Sequence, residues 1–195
     1  MFIVVEGIDG CGKTSTLGFI KDYLTSKTGR EVVLTREPGG TVLGERLREI
    51  ALSPDGKMCL NAQAYLMMAS RSQLLDEVIK PALADGKSVV ADRYFYSTLV
   101  YQAGADLSVL EAASYVPQPD LVLLFNIDHA VAEARANWRG DADDRFNAVW
   151  ADDTYTQRYL ALAAKYKNIK VVDANQSKDS VKEQVLGYLE AAYNL

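Results

Sequence analysis

The segment Gly7-Ile8-Asp9-Gly10-Cys11-Gly12-Lys13-Thr14 constrains the fold of this chain more than any other. It fits the pattern G-x-x-x-x-G-K-[ST] without a gap, and it stands between an apolar run at residues 2–5 and a stretch of helical spacing at residues 17–24. A loop that leaves a buried strand and enters a helix aims backbone N–H groups and the positive end of the helix at one point, which suits a polyphosphate anion. The alternative is an ordinary glycine turn with a solvated Lys13, but the pattern arises by chance in fewer than about one in a hundred chains of this size. We therefore predict that a nucleoside triphosphate binds to this loop.

Length and charge set the protein class. The 195 residues, of which 49% are hydrophobic and 24% charged, indicate one globular domain over 1–195. A net charge of −5 and a pI near 5.0 argue against a nucleic-acid or membrane partner. Cys11 and Cys59 have no metal-ligand spacing, and the first strand begins at Phe2, which leaves no room for a signal peptide. We expect a cytoplasmic protein.

Short apolar runs alternate with helical patterns along the whole chain. The runs predict strands at 31–35, 88–92, 121–125 and 169–173, in addition to the one before the loop. This alternation is typical of an α/β fold, a five-stranded parallel sheet with helices on both faces. One helix, which begins after a capping Thr41, is predicted to turn four apolar residues inward, namely Leu43, Leu47, Ile50 and Ala51.

Ligands of such sheets bind at the carboxyl ends of the strands, and charged pairs follow two of the predicted strands. Arg36-Glu37 follows the second strand, and Asp92-Arg93 ends the third. Lys13 would reach the β- and γ-phosphates, Thr14 and Asp92 would hold Mg²⁺, and Arg93 would grip an acceptor phosphate. The alternative for Asp92-Arg93 is a surface ion pair that caps a helix.

Two further patterns concern regulation and closure. Residues 135–145 are rich in Arg, Asp and Gly and have little apolar periodicity, which predicts a mobile flap.

A nucleotide-binding switch without an acceptor would need an N-K-x-D strand end that reads guanine. The strand ends at 126–128 and 173–175 do not fit it, which disfavours this second class of function.

Three segments of the chain resemble the marks of the thymidylate kinase family. They are residues 6–14, 35–41 and 92–102, which read EGIDGCGKT, TREPGGT and DRYFYSTLVYQ. The resemblance implies a P-loop NTPase fold of the nucleoside-monophosphate-kinase type with a short lid at about 135–147. It also implies Mg²⁺-dependent transfer of the γ-phosphoryl group of ATP to dTMP, and a homodimer.

The resemblance further implies roles for individual residues. Arg36, Arg48 and Arg93 would surround the acceptor phosphate, and Arg71 and Gln102 would read the thymine edge. Tyr101 would lie against the sugar where a 2′-hydroxyl would otherwise fit, and Asp9 would sit between donor and acceptor, near the metal. The remaining acceptor-side residues would be Glu37, Pro38, Met67 and Ser97, of which Pro38 and Ser97 line the base pocket.

The donor side would comprise Gly7, Ile8, Asp9, Gly10, Cys11, Gly12, Lys13, Thr14, Ser15 and Arg135. The catalytic residues would be Lys13, Arg93, Asp9 and Arg139, and the metal ligands Thr14, Asp92 and Asp9. Two alternatives stay open: an exposed Arg71, and Tyr101 as an ordinary core residue.

The chain departs from patterns seen in the family at several positions, including Met67, Asn137 and Asn147, and Gly10 distinguishes it from some members. Gly10 stands where some members carry an arginine, so the lid would supply the catalytic cation, from Arg135, Arg139 or Arg145, with Arg139 preferred. Met67 stands where an aromatic ring usually stacks on thymine. A modified pyrimidine monophosphate, or a broader set of acceptors, is therefore an alternative to dTMP.

Overall fold

The computed structural model describes residues 1–53, 57–139 and 153–193, with only the backbone of residues 135–139. In these residues the chain forms a five-stranded parallel sheet of order β2-β3-β1-β4-β5. The strands are β1 (Phe2–Glu6), β2 (Val32–Arg36), β3 (Ser88–Asp92), β4 (Leu121–Asn126) and β5 (Ile169–Asp173). All five predicted strands are confirmed, each within one residue.

The central strands of the sheet are apolar at successive positions because both of their faces are covered by helices. Every residue of β1 is buried, and in β4 only the last residue, Asn126, is partly exposed. Glu6, at the end of β1, is charged and buried. A carboxyl group at such a position needs hydrogen-bond or ionic partners.

Helices connect the strands. They are α1 (Lys13–Thr28), α2 (Val42–Ala51), α3 (Leu60–Leu74), α4 (Lys80–Ala84), α5 (Phe95–Tyr101), α6 (Leu107–Ser114), α7 (His129–Arg139), α8 (Thr154–Lys165) and α9 (Lys178–Tyr193). A π-helical turn, Leu75–Ile79, joins α3 to α4 just before Pro81, so the helix continues through one wider turn and does not end there. Proline lacks an N–H group and crowds the preceding turn, which accounts for the wider turn at this place. None of the helices in the described ranges has the length and hydropathy of a membrane span.

The prediction for the inner face of α2 is wrong in part. Leu43 and Ile50 are 46% and 53% exposed, and the buried residue of α2 is Gly44. A Cβ on Gly44 would lie 2.7 Å from the carbonyl oxygen of Gly39. The helix therefore approaches the loop after β2 through its glycine, which leaves part of its apolar face outward.

Candidate active site

The sheet order brings the sequence-predicted segments to one edge. Strand β3 lies between β2 and β1, and Asp92 at its end is in register with Arg36 on one side and Val5 on the other. The phosphate loop at residues 7–14 follows β1 directly. Three segments that are far apart in the sequence thus meet at the carboxyl ends of adjacent strands, as predicted.

Lys13 is held inside the phosphate loop. Its side chain is 6% exposed, and its Nζ donates to the carbonyl oxygens of Gly7 and Ile8, at 2.8 Å each. Gly12, with φ of 100°, begins α1, and its carbonyl accepts from the hydroxyls of Ser15 and Thr16. The loop is therefore ordered around the lysine amine, with the N-terminus of α1 beside it.

Gly10 accounts for the close approach of α7 to this loop. Its φ is 78°, and a Cβ built on it would lie 2.4 Å from the carbonyl oxygen of Ala132 in α7. No side chain fits there without moving the helix. An arginine at this position is thus excluded by the packing of α7.

A cavity of about 820 Å³ opens beside the phosphate loop. Its walls come from the loop, α1, β4, α7 and the segment after β5, and they are lined by Gly10, Cys11, Gly12, Ser15, Thr16, Phe19, Phe125, Val131, Ala134, Ala174, Gln176, Lys178, Val181 and Lys182. Apolar walls next to an anion-binding loop suit a base and sugar attached to a polyphosphate. Sequence reasoning missed the residues from Ala174 to Lys182, because they belong to no motif.

The carboxylates near the loop differ in their suitability for a metal. Oδ1 of Asp92 is buried and has no hydrogen-bond partner among the described residues. Thr14 is exposed in the first turn of α1, next to Lys13. Oδ1 of Asp9, by contrast, accepts from Nη2 of Arg93 at 2.7 Å and lies 3.9 Å from Nζ of Lys13. Burial raises the pKa of Asp9, but these two cations outweigh it and lower the pKa overall. Asp92 and Thr14 fit a divalent cation, whereas the two cations beside Asp9 make it a poorer ligand than the sequence suggested.

Arg48, on α2, lies near enough to two other arginines, Arg36 and Arg93, to interact with them electrostatically. Arg36 ends β2 and pairs with Glu45 at 2.8 Å, and Nη1 of Arg48 donates to the carbonyl oxygen of Pro38 at 2.9 Å. Burial and the positive charges of Arg36 and Arg93 lower the pKa of Arg48, although Glu45 and Asp92 oppose the change. Cations close enough to disfavour one another's charge suit an anionic ligand.

Arg93 adopts a left-handed backbone conformation, with φ of 70°, and its side chain has many partners. Nη2 binds Asp9, while Nη1 donates to Ser97 Oγ at 3.0 Å, Tyr159 OH at 3.1 Å and Tyr101 OH at 3.4 Å. Burial lowers the pKa of Arg93, but its acidic and phenolic neighbours outweigh burial and raise it. The hydroxyl of Ser97 therefore contacts the arginine, and the place of Ser97 in a base pocket, which the resemblance implies, stays a prediction.

Arg71 is buried in the core, 2% exposed, so the alternative of an exposed helix arginine is wrong. Its Nε donates to Glu37 Oε2 at 2.8 Å, Nη2 to Thr98 Oγ1 at 3.0 Å, and Nη1 to the Ala113 carbonyl at 3.3 Å. A guanidinium has five N–H groups, so two remain after these three bonds. Arg71 can thus be anchored by Glu37 and still donate to a ligand.

Glu37 is 4% exposed, and its Oε1 has no partner among the described residues. Burial raises the pKa of Glu37 to about 7, although Arg71 opposes the change. Between pH 4.5 and 7, the Glu37 carboxyl is therefore protonated to a greater extent in the folded state than in the unfolded state. Consequently the free energy of unfolding falls as the pH rises through this range, and the loss is complete above it.

We expect this pH dependence to disappear in the Glu37→Gln variant. The free energy of unfolding of the wild type minus that of the variant should fall by about 2 kcal/mol between pH 5.5 and pH 8. Urea unfolding at several pH values measures it, and pH 5.5 avoids the pI near 5.0, where solubility is poor. A difference that stays constant or grows with pH would contradict the expectation.

The other residues predicted for the acceptor side include Tyr101 at the end of α5, Gln102 directly after it, and Met67 on α3. The Tyr101 ring lies under the Arg93 guanidinium, with Cζ 5.2 Å from the ring centroid, and burial raises the pKa of its hydroxyl to about 12. Gln102 is buried, and its Nε2 lies 3.4 Å from Oε1 of Gln63. Met67 is half-buried on α3, one turn before Arg71. The interpretation of Tyr101 as plain core therefore fails, because its hydroxyl and its ring both contact the arginine.

Sequence reasoning missed two groups of this site, Glu6 and Tyr159. Glu6 accepts four hydrogen bonds, and one of them comes from Tyr159 on α8, which is 153 residues away in the sequence. A charged residue that closes an apolar strand just before the phosphate loop is a signal that could have identified Glu6. Nothing local in the sequence marks Tyr159. The predicted lid lies largely outside the described residues, including Arg145, and the side chains of Arg135 and Arg139 are not described.

Comparison with known proteins identifies the family of the chain. A chain from Shewanella sp. (strain ANA-3) named thymidylate kinase is 39% identical over 199 residues, covering 97% of this chain and 95% of its own. The thymidylate kinase of Neisseria gonorrhoeae (strain FA 1090) is 38% identical over 207 residues, covering 98% and 97%. The crystal structure of thymidylate kinase from Ehrlichia chaffeensis matches with a TM-score of 0.75 and 29% identity, covering 97% of this chain and 98% of that one. The sequence model of the family matches residues 5–185, so this chain belongs to the thymidylate kinase family.

Proposed function

We propose that this chain transfers the γ-phosphoryl group of ATP to dTMP, giving dTDP and ADP in dTTP synthesis. The observation that carries the proposal is the cluster of Arg36, Arg48 and Arg93 at the edge of the sheet that also bears the phosphate loop. A nucleotide switch has no use for a second anion site, whereas a kinase for monophosphates requires one. Membership of the family supports dTMP as the acceptor.

The donor would bind along the phosphate loop and in the cavity beside it. Backbone N–H groups at the start of α1 would take the phosphate oxygens. Lys13 would exchange its two carbonyl partners for oxygens of the β- and γ-phosphates. The lysine is already desolvated, so its charge would act strongly on the transferred group.

Thr14 and Asp92 would hold the magnesium ion that accompanies ATP, and the buried, unpartnered Oδ1 of Asp92 supports this assignment. When bound, Mg²⁺ neutralises charge on the β- and γ-phosphate oxygens. Asp9 would instead orient Arg93 between the donor and the acceptor. The carboxylate and the guanidinium thus form one unit at the centre of the reaction.

The acceptor phosphate would lie among the three arginines, with its base directed towards Arg71 and Gln102. Two unused N–H groups of Arg71 could donate to a carbonyl of thymine, and the amide of Gln102 could pair with the imide. Tyr101 would exclude a ribose 2′-hydroxyl, and Pro38 and Met67 would contact the base. Because methionine adapts its shape, Met67 supports the second candidate, a modified or broader range of pyrimidine monophosphates.

The lid would complete the site. We assign it to about 135–147 within one kinase domain over 1–195, with Arg139 as the cation on the transferred phosphoryl group and Arg135 on the donor nucleotide. The close packing of α7 on Gly10 supports a link between the lid and the phosphate loop, since α7 leads into this segment. Closure would bring the cation in and keep water out.

A homodimer and a cytoplasmic location belong to the same proposal. Large apolar side chains are exposed on α2 and α3, and they are Val42, Leu43, Ile50, Leu60 and Tyr65. An apolar surface of this kind favours a second copy as its cover. The two cysteines, Cys11 and Cys59, are free thiols, which suits a reducing compartment.

An acceptor panel tests the reaction. Purified protein with ATP and Mg²⁺ should convert dTMP to dTDP faster than it phosphorylates dUMP, dCMP, UMP or a dUMP with a different 5-substituent. Faster phosphorylation of another pyrimidine monophosphate would reject dTMP and support the second candidate. Slow ATP hydrolysis that no monophosphate alters would reject the kinase proposal.

Sedimentation measures the assembly. The wild type should sediment as a dimer, and Leu43→Glu, which puts a charge on the exposed face of α2, should give a monomer. Leu160→Glu, at an exposed position on α8, is the matched control and should leave the dimer intact. A monomeric wild type would reject the homodimer without affecting the proposed reaction.

A further inference from the structure

Glu6 is a buried carboxylate at the end of β1 that no step described so far employs. It is 1% exposed. Its Oε1 accepts from the backbone N–H groups of Tyr94 at 2.8 Å and Ser97 at 3.3 Å. Its Oε2 accepts from the hydroxyls of Ser97 at 2.7 Å and Tyr159 at 2.9 Å. Such a number of buried hydrogen bonds to one carboxylate indicates a specific arrangement, since a charge in the core is otherwise costly.

The two hydroxyls connect Glu6 to Arg93. Burial raises the pKa of Glu6, and Arg93 and the hydrogen bonds from Ser97, Tyr94 and Tyr159 oppose the change. An ionised carboxylate can only accept, so in the ionised state the single protons of the Ser97 and Tyr159 hydroxyls are donated to Oε2, although the two hydroxyl oxygens also lie 2.9 Å apart. The lone pairs of Ser97 and Tyr159 are then left to accept from Nη1 of Arg93, at 3.0 and 3.1 Å. The charge of Glu6 thus fixes the direction of the hydrogen bonds that hold the guanidinium.

Glu6 also supports the backbone around Arg93. This residue has φ of 70°, an unfavourable value for a side chain other than glycine or asparagine. The N–H group of the next residue, Tyr94, donates to Glu6, and so does the N–H of Ser97 in the first turn of α5. Both the unusual backbone and the guanidinium orientation therefore depend on the same carboxylate.

We propose that Glu6 is a positioning residue for the phosphoryl transfer, which sets the orientation of Arg93 through the hydroxyls of Ser97 and Tyr159. This rests on the proposed role of Arg93 at the acceptor phosphate. Through Tyr159, the same unit includes α8, the first described helix after residues 140–152. Arg93 is thus held by three parts of the chain directly, the phosphate loop through Asp9, α5 through Ser97 and Tyr101, and α8 through Tyr159, and by β1 through the hydrogen bonds of Glu6.

The Glu6→Gln variant tests the proposal because it preserves shape while it reverses hydrogen-bond direction. The glutamine oxygen can still accept from the two backbone N–H groups. Its NH₂ group would then donate to the two hydroxyls, whose protons would turn towards Arg93. We expect kcat/KM for the acceptor to fall about 100-fold, the cost of a misplaced reactive geometry, while the KM for ATP changes less than about twofold.

A double-mutant cycle separates positioning from general stability. In the Arg93→Met background there is no guanidinium to orient. Adding Glu6→Gln to that variant should therefore lower its kcat/KM by a further factor of less than about three. Thermal unfolding should show that both single variants are folded. An equal loss in the two backgrounds, or an unchanged kcat/KM in folded Glu6→Gln, would overturn the proposal.

Tyrosine variants supply a matched comparison. Tyr159→Phe removes one bridging hydroxyl and should lower kcat/KM for the acceptor. Tyr96 is on the same helix as Ser97, and its hydroxyl accepts a hydrogen bond from Asn168. Tyr96→Phe removes this hydroxyl and should leave kcat/KM unchanged. Equal effects of the two would overturn the role of Tyr159 in the unit. All variants are assayed with the monophosphate that the wild type phosphorylates fastest, so failure of dTMP as substrate remains a separate outcome.

Discussion

Replacement of Lys13 by methionine should lower kcat at least about 1000-fold. The methylene groups of the side chain are kept, but the buried charge that we propose to act on the γ-phosphate is lost, and phosphoryl transfer depends chiefly on such charges. The amine donates to two carbonyls of its own loop, so the variant also loses two internal hydrogen bonds. Steady-state kinetics with saturating ATP and acceptor measure the loss.

Lys21→Met is the matched control, because Lys21 is exposed on the same helix. It should keep kcat within about twofold of the wild type. Thermal unfolding of both variants verifies that they are folded. A Lys13→Met protein that keeps more than a tenth of wild-type kcat would exclude the lysine from the transition state.

The sheet could be predicted well from the sequence because its strands are covered on both faces. Consecutive apolar residues such as Val89-Val90-Ala91 leave few alternatives to a buried strand, and glycines and prolines separate the segments. The face of α2 could not be predicted in the same way. Apolar spacing indicates that a face is buried but not what covers it, and within the described residues Leu43 and Ile50 remain exposed.

The site could be predicted where its residues share a motif or follow a strand. Lys13 belongs to the first motif, Asp92 and Arg93 belong to the third motif at the end of β3, and the sheet order brings the two motifs together. Tyr159 satisfies neither condition, since only the folded chain brings α8 against the end of β1. Its contribution became visible through its contacts with Glu6 and Arg93.

Hydrogen-bond partners were the other unpredictable element. The resemblance implies Ser97 at the base and Arg71 on the thymine edge, but the sequence could not indicate that the Ser97 hydroxyl is hydrogen-bonded to Glu6 and Arg93. Likewise, the pair of Arg71 and Glu37 joins α3 to the end of β2 across 34 residues. Such pairs determine whether a residue is available to a ligand, and they arise only from packing.

The pair of Arg71 and Glu37 gives the second large effect. Arg71→Met should lower the free energy of unfolding by about 3–5 kcal/mol at pH 8, because it leaves the Glu37 carboxylate buried without its cation. The loss should be smaller at pH 5.5, where Glu37 is largely protonated in the wild type as well. Urea unfolding at the two pH values measures both quantities.

The double variant Glu37→Gln/Arg71→Met then separates the structural role of Arg71 from its proposed role in base recognition. With both charges removed, most of the lost stability should return, since an uncharged pair of similar volume packs without a desolvated ion. The acceptor KM should not return, because the two N–H groups that Arg71 has left for a ligand are still missing. Recovery of the acceptor KM together with stability would mean that Arg71 only neutralises Glu37, and Gln102 would then be the principal remaining residue to read the base.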